Sequence, residues 1–180
     1  RPADAARLAT RAAECLTGRG ALDTAMAWLD CDDGLTEAER VRCHALLAHA
    51  AWYRLDLEMV ARHSTAAIEL ANGRAFDGLP VAYITRTYAA TLEQDFDRIE
   101  PSLDAAEEVA RRLPEPNPSL ALVAVLRAAW AEAWGDFEGS VQHARRCIAL
   151  APELVSRSIV EALLVVGLLA LDRTAEAREA

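Results

Sequence analysis

"WGDFEGSVQHARRCIALAP" runs from Trp134 to Pro152. A Gly-Asp turn opens it. Phe137, Val141, Ala144, Ile148 and Ala151 then fall at helical spacing, and a proline closes the run. The pattern predicts the second half of a helical hairpin. A lone hairpin would be a local feature, whereas a repeated one sets the architecture of the whole chain. Repetition would also move the search for function from a catalytic pocket to an interaction surface.

Repetition is what the sequence carries. Turn signals stand in "TGRGALDTA" (17–25), "RLDLEMVA" (54–61), "EQDFDRIE" (93–100), "WGDFEGSV" (134–141) and "LDRTAEA" (171–177). Aligned just after the turn, Ala21, Asp56, Asp95, Asp136 and Arg173 are separated by 35, 39, 41 and 37 residues. One residue later come Leu22, Leu57, Phe96, Phe137 and Thr174, and four later Ala25, Val60, Ile99, Ser140 and Ala177. An apolar residue followed three positions on by a small or aliphatic one seats the second helix of each pair against the first. A period of this length is the signature of a helical-repeat solenoid.

First helices are predicted at 3–17, 36–54, 79–94, 118–134 and 155–171, and second helices at 21–31, 56–72, 97–113, 137–150 and 174–180. Thr36 with Glu39 forms a capping box, and Asn117-Pro118 reads as an N-cap followed by proline at the first helical position. Gly73 and Gly78 bracket one connection, and "LPEPNP" (113–118) forms another. Pro101 lies early in its second helix, so that helix is expected to start late or kink.

Composition agrees. Hydrophobic residues make up 53% of the 180 and aromatics only 6%, so alanine and leucine carry the apolar share. Alanine is the best helix former and lets helices approach closely, whereas strands favour β-branched and aromatic residues. The fold class is therefore all-α: an α-α superhelix of about five helix-turn-helix units, a single domain over 1–180. The chain opens at "RPADAARL" and closes in "TAEAREA", which suggests a fragment of a larger protein.

The formal charge of −9 and pI near 4.9 disfavour direct contact between this segment and nucleic acid, which requires a basic stripe. Cys15, Cys31, Cys43 and Cys147 are dispersed, fitting a reduced cytoplasmic protein whose cysteines serve as small core residues. The longest apolar run, "ALLVVGLLAL" (162–171), spans ten residues, about half of the ~20 needed to cross a bilayer. The helix around it is apolar nearly all round and needs neighbours on two sides. Its apolar end is expected to continue into further repeats of a larger protein, and left exposed it would favour a homodimer.

These features resemble the tetratricopeptide repeat (TPR). Gly135 stands at the turn, Phe137 two residues on, Ser140, Ala144 and Cys147 in the second helix, and Pro152 at the close. Ala144 stands where that family has an aromatic residue, and the other copies are more degenerate. Alanine- and arginine-rich repeats of this length look most like those of large LuxR-type, MalT-like bacterial transcriptional regulators. That resemblance implies a non-catalytic sensor or interaction module that binds an effector, peptide or partner domain on a concave face. The alternative is a free-standing scaffold or peptide-binding adaptor.

"DCDDG" (30–34) lacks the spacing of a calcium loop, with Leu35 and Val41 where glycine and glutamate would be needed, and reads as a solvated loop. Cys43, His44 and His49 are not at the i, i+4 spacing of a metal-binding helix. No nucleophile–base motif and no phosphate loop occurs, so neither enzyme activity nor a metal or cofactor is expected. In the resembled family the first helices line the groove. Counting back from the turns places there Arg42, His49, Trp52 and Tyr53, then Val81, Ile84, Tyr88 and Thr91, then Leu122, Val125 and Glu132. Arg42, His49, Trp52, Tyr53, Tyr88 and Glu132 are the candidate ligand or partner contacts. A second reading makes Trp52, Tyr53 and Tyr88 packing residues between units. Trp130 and Trp134 are expected to pack between helices.

Overall fold

The structure, a computed structural model, describes residues 35–115, 117–151 and 157–180. The first predicted hairpin, with Cys15, Cys31 and the 30–34 loop, lies outside the described residues. The regular elements described are all helical: α1 (Glu37–Tyr53), α2 (Leu57–Ala71), α3 (Leu79–Glu93), α4 (Ile99–Arg111), α5 (Pro118–Ala133), α6 (Phe137–Leu150), α7 (Arg157–Ala170) and α8 (Thr174–Glu179). They fall into two compact units, divided between Leu113 and Pro114, with α1–α4 in the first and α5–α8 in the second.

Each helix pair is joined by the same turn. Asp56, Asp95, Asp136 and Arg173, the column found in the sequence, occupy the position just before the second helix, or before its leading 3-10 turn (Phe96–Arg98). The residue before each is left-handed: Leu55 at φ 56°, Gln94 at 58°, Gly135 at 78° and Asp172 at 59°. The amide that follows donates back to the first helix in every copy. Asp56 N–H reaches Ala51 O at 3.1 Å, Asp95 N–H reaches Ala90 O at 2.9 Å, Asp136 N–H reaches Ala131 O at 2.8 Å, and Arg173 N–H reaches Leu168 O at 2.8 Å. A left-handed residue lets the chain fold back and satisfy a carbonyl the helix end leaves open. Asp56 Oδ1 and Asp136 Oδ1 then accept from Met59 N–H (3.1 Å) and Gly139 N–H (2.9 Å), capping the next helix.

The other end signals are in place. The Thr36 hydroxyl accepts from Glu39 N–H while the Glu39 carboxylate accepts from Thr36 N–H. Asn117 Oδ1 accepts from Ser119 N–H at 3.0 Å. Pro101 is third in α4, where no intrahelical donor is lost, and the 3-10 turn before it delays the helix to Ile99.

Second helices bury one stripe at common positions after the turn. Val60, Ile99 and Ser140 stand four residues beyond the aligned aspartates and are fully buried. Ser64, Leu103 and Ala144 follow at eight, and Ala67, Ala106 and Cys147 at eleven, each at most 1% exposed. The core of the first unit joins Val41 and Ala45 of α1, Ala67 and Ala71 of α2, Leu79 and Ala82 of α3 and Val109 of α4. That of the second joins Ala121, Ala124 and Ala128 of α5, Val141, Ala144 and Cys147 of α6, and Val160, Leu164 and Leu168 of α7. Alanine at the contacts brings axes close, and Gly167 closer still: a Cβ there would meet Val141 Cγ2 at 2.8 Å. Cys43 and Cys147 are buried free thiols, as small core residues should be. Among the described residues no helix is long and apolar enough to cross a membrane.

Candidate functional site

The last turn of α1 and the second half of α3 bring together four of the six candidate residues. Trp52 of α1 stacks on Tyr88 of α3, ring centroids 5.0 Å apart at 18°. One turn back along α1, His49 meets Tyr53 edge-on at 5.1 Å. Successive helical turns place 49, 52 and 53 on one side of α1, and 84, 88 and 91 share a face of α3. Tyr53 is 65% exposed, whereas His49, Trp52 and Tyr88 are half-buried.

Packing does not fill the hydrogen-bonding needs of this patch. His49 Nδ1 is buried without a partner among the described residues. Its burial holds the imidazole below the usual histidine range, favouring the neutral ring. Burial, and after it the neighbouring Tyr53, push the Tyr88 phenol above its usual range. The arrangement offers aromatic faces, a phenol edge and a neutral imidazole. It can engage apolar and hydrogen-bonding groups.

The other two candidates stand apart. Arg42, two turns before His49, faces the α2–α3 connection and pairs with Asp77 at 3.3 Å. A Cβ on Gly78 would lie 3.2 Å from the Arg42 Cα and Cγ, a tight fit, and the left-handed φ of 89° there favours glycine. Glu132 belongs to the second unit. One of its carboxylate oxygens is buried without a partner among the described residues, at the edge of an open apolar cleft of about 300 Å³ lined by Ile159, Ala162, Leu163 and Val166 of α7. Of the accompanying positions, Ile84 is buried, Val81, Leu122 and Val125 are half-buried, and the Thr91 hydroxyl donates to Thr87 O at 2.9 Å.

Two features differ from the sequence reading. Trp134, expected between helices, is 64% exposed, because it follows the last residue of α5 at the turn; Trp130 meets it edge-on, 5.5 Å away. His44 and His63 form a pair that spacing did not reveal: Nδ1 to Nδ1 is 2.9 Å, with the rings stacked at 5.2 Å. Such a bond needs one ring to donate and the other to accept, so at least one is neutral. Only the register of α1 on α2 could disclose it. Among the described residues no cluster of three or more His, Cys, Asp or Glu could hold a metal ion.

No protein-family model and no curated protein matches the sequence. Solved structures do. BtubC (BKLC) from P. vanneervenii superposes with a TM-score of 0.73 at 16% identity, over 93% of this chain and 73% of its own. The TPR-like repeats of a putative kinesin light chain from Podosopora anserina superpose with a TM-score of 0.65 at 16% identity, over 99% of this chain and 92% of theirs. A glutamine-to-methionine variant of those repeats gives the same score and identity over 99% and 91%. At this identity the likeness concerns the fold, and with the recurring turns and buried stripes it establishes a TPR-like helical repeat.

Proposed function

We propose that this chain is a non-catalytic protein-interaction module that takes a peptide segment of a partner on the first-helix face, at His49, Trp52, Tyr53 and Tyr88. The observation that carries the reading is the largely exposed Tyr53, edge-on to His49 and beside the Trp52–Tyr88 stack. Tyrosine and tryptophan are also the side chains on which binding energy concentrates.

Selection from a displayed peptide library against the folded protein, followed by affinity measurement on a Tyr53→Ser variant, tests this. The exposed Tyr53 can be truncated without disturbing the core, so the selected peptide should lose at least about tenfold in affinity. Unchanged affinity would remove the patch from the function.

The finer assignment within this proposal is a cytoplasmic sensor segment of a LuxR-type bacterial regulator, one repeat domain of a longer protein, with DNA contacted elsewhere. The style of the repeats supports it. A full-length reading frame with a P-loop upstream and a helix-turn-helix downstream would establish it; their absence would leave the free-standing adaptor. We also propose that a second copy covers the exposed Ile159, Val166 and Leu169 of α7. A Val166→Glu variant should then sediment as a monomer at concentrations where the parent dimerises. A parent that stays monomeric at high concentration would refute the dimer.

A further inference from the structure

On the face of α3 opposite Tyr88, a second cleft of about 140 Å³ opens between α2, α3 and α4. Thr65 comes from α2, Arg86 and Glu93 from α3, and Ser102 from α4, over a floor that includes Val60, Ala89 and Ala90. Arg98, also at its edge, is taken by Asp95 at 2.8 Å. Arg86 and Glu93 are not taken: among the described residues neither has an ion-pair or hydrogen-bond partner, and the hydroxyls of Thr65 and Ser102 have none. The two charged residues are seven apart, on the same face of α3 but separated by about 10.5 Å of rise. A half-buried guanidinium and a carboxylate, opposite in sign, thus address one cleft across a gap that they do not bridge with each other.

We propose that this cleft binds a small zwitterion of the α-amino-acid type, its carboxylate on Arg86 and its ammonium on Glu93. The planar guanidinium suits a carboxylate, which it holds through two parallel hydrogen bonds. Glu93, in a chain of net charge −9, disfavours a multiply charged anion such as phosphate and welcomes a cationic group. Thr65 and Ser102 can each donate to the carboxylate or accept from the ammonium. The cleft, about 140 Å³, is small, so it best suits zwitterions with short side chains. Because this site lies on the other face of α3, it is independent of the peptide reading.

The test is titration calorimetry on the protein with free glycine, alanine and serine up to about 10 mM, alongside the N-acetyl form of alanine, which removes the ammonium, and its carboxamide, which removes the carboxylate. At least one free amino acid should bind with a Kd of about 1 mM or tighter. Both blocked forms, and the Arg86→Gln and Glu93→Gln variants, should bind at least tenfold more weakly, while Tyr53→Ser should not change. If Arg86→Gln fails to fold, Arg86→Lys replaces it and should also weaken binding, since the charge remains but the paired geometry is lost. Absence of binding by all three amino acids, equal binding of a blocked form, or unchanged binding in the charge variants would overturn the assignment.

Discussion

The repeated turn makes a prediction with opposite signs at two equivalent positions. Gly135 sits at φ 78°, and a Cβ added there would meet nothing within 4 Å. Gly135→Ala therefore clashes with no neighbour, and its whole cost is that of a left-handed backbone, about 1–2 kcal/mol for a residue with a side chain. Against this stands about 0.4–1 kcal/mol from the smaller entropy of the unfolded chain. The backbone cost wins, and the variant should lose about 1 kcal/mol. Leu55 occupies the same place at φ 56° with its side chain 65% exposed, so Leu55→Gly sacrifices little burial and relieves the same strain. By the same balance it should gain about 0.5–1 kcal/mol. Urea titration read by circular dichroism and by tryptophan emission gives both values from the shift in midpoint at constant m. Trp130 and Trp134, beside the Gly135 turn, report on it directly. A neutral Gly135→Ala, or a Leu55→Gly that destabilises, would show that the two turns are not one device.

Three further outcomes follow from the packing and the charges. Gly167→Ala gains about 1 kcal/mol of helix propensity, but the new methyl meets the fully buried Val141 at 2.8 Å; overpacking of about 1–3 kcal/mol prevails, so urea titration should show a net loss. Burial depresses the His49 pKa in the folded state, so its contribution is full above the unfolded value of about 6.5 and is lost as pH falls through the lowered folded value. His49→Gln should therefore flatten the stability profile between pH 7 and 5, by at most about 1.4 kcal/mol per pH unit, and an unaltered profile would refute the assignment. Glu176 accepts from Arg173 and Arg145, which lower its pKa to about 2, so its pairing holds above the ordinary carboxylate range and fades only as pH falls through about 2. Carbon-detected NMR titration should find that low value, and Glu176→Gln should speed amide exchange in α8; an ordinary titration near 4.5 would contradict the pairing.

Features were legible in the sequence to the extent that they were local. Helix bounds were, because Asp56, Asp136, Thr36 and Asn117 are capping residues whose bonds close within three positions. The left-handed turn was legible only at Gly135; Leu55 and Gln94 carry no such signal and are held there by the bond from the next amide to the first helix. First-helix spacing located Trp52 and Tyr88 on successive first helices, but their stacking depends on how those helices pack. The His44–His63 pair did not, since it depends on how far α1 slides along α2. Trp134 departs from the expected burial because helical periodicity ceases to dictate burial one residue past a helix end. Arg42 shares the spacing of His49 but is held by Asp77 of a connection whose path no periodicity describes.

On the proposed function, partners are received on the first-helix face beside His49. The most direct measurement is an NMR map of backbone and side-chain shifts as a library-selected peptide is titrated into the labelled protein. The largest changes are expected at the His49 and Tyr53 rings, the Trp52 indole and Tyr88, with the exposed side of α2 and α4 unmoved. Changes concentrated on α2 and α4, with those four side chains silent, would contradict it.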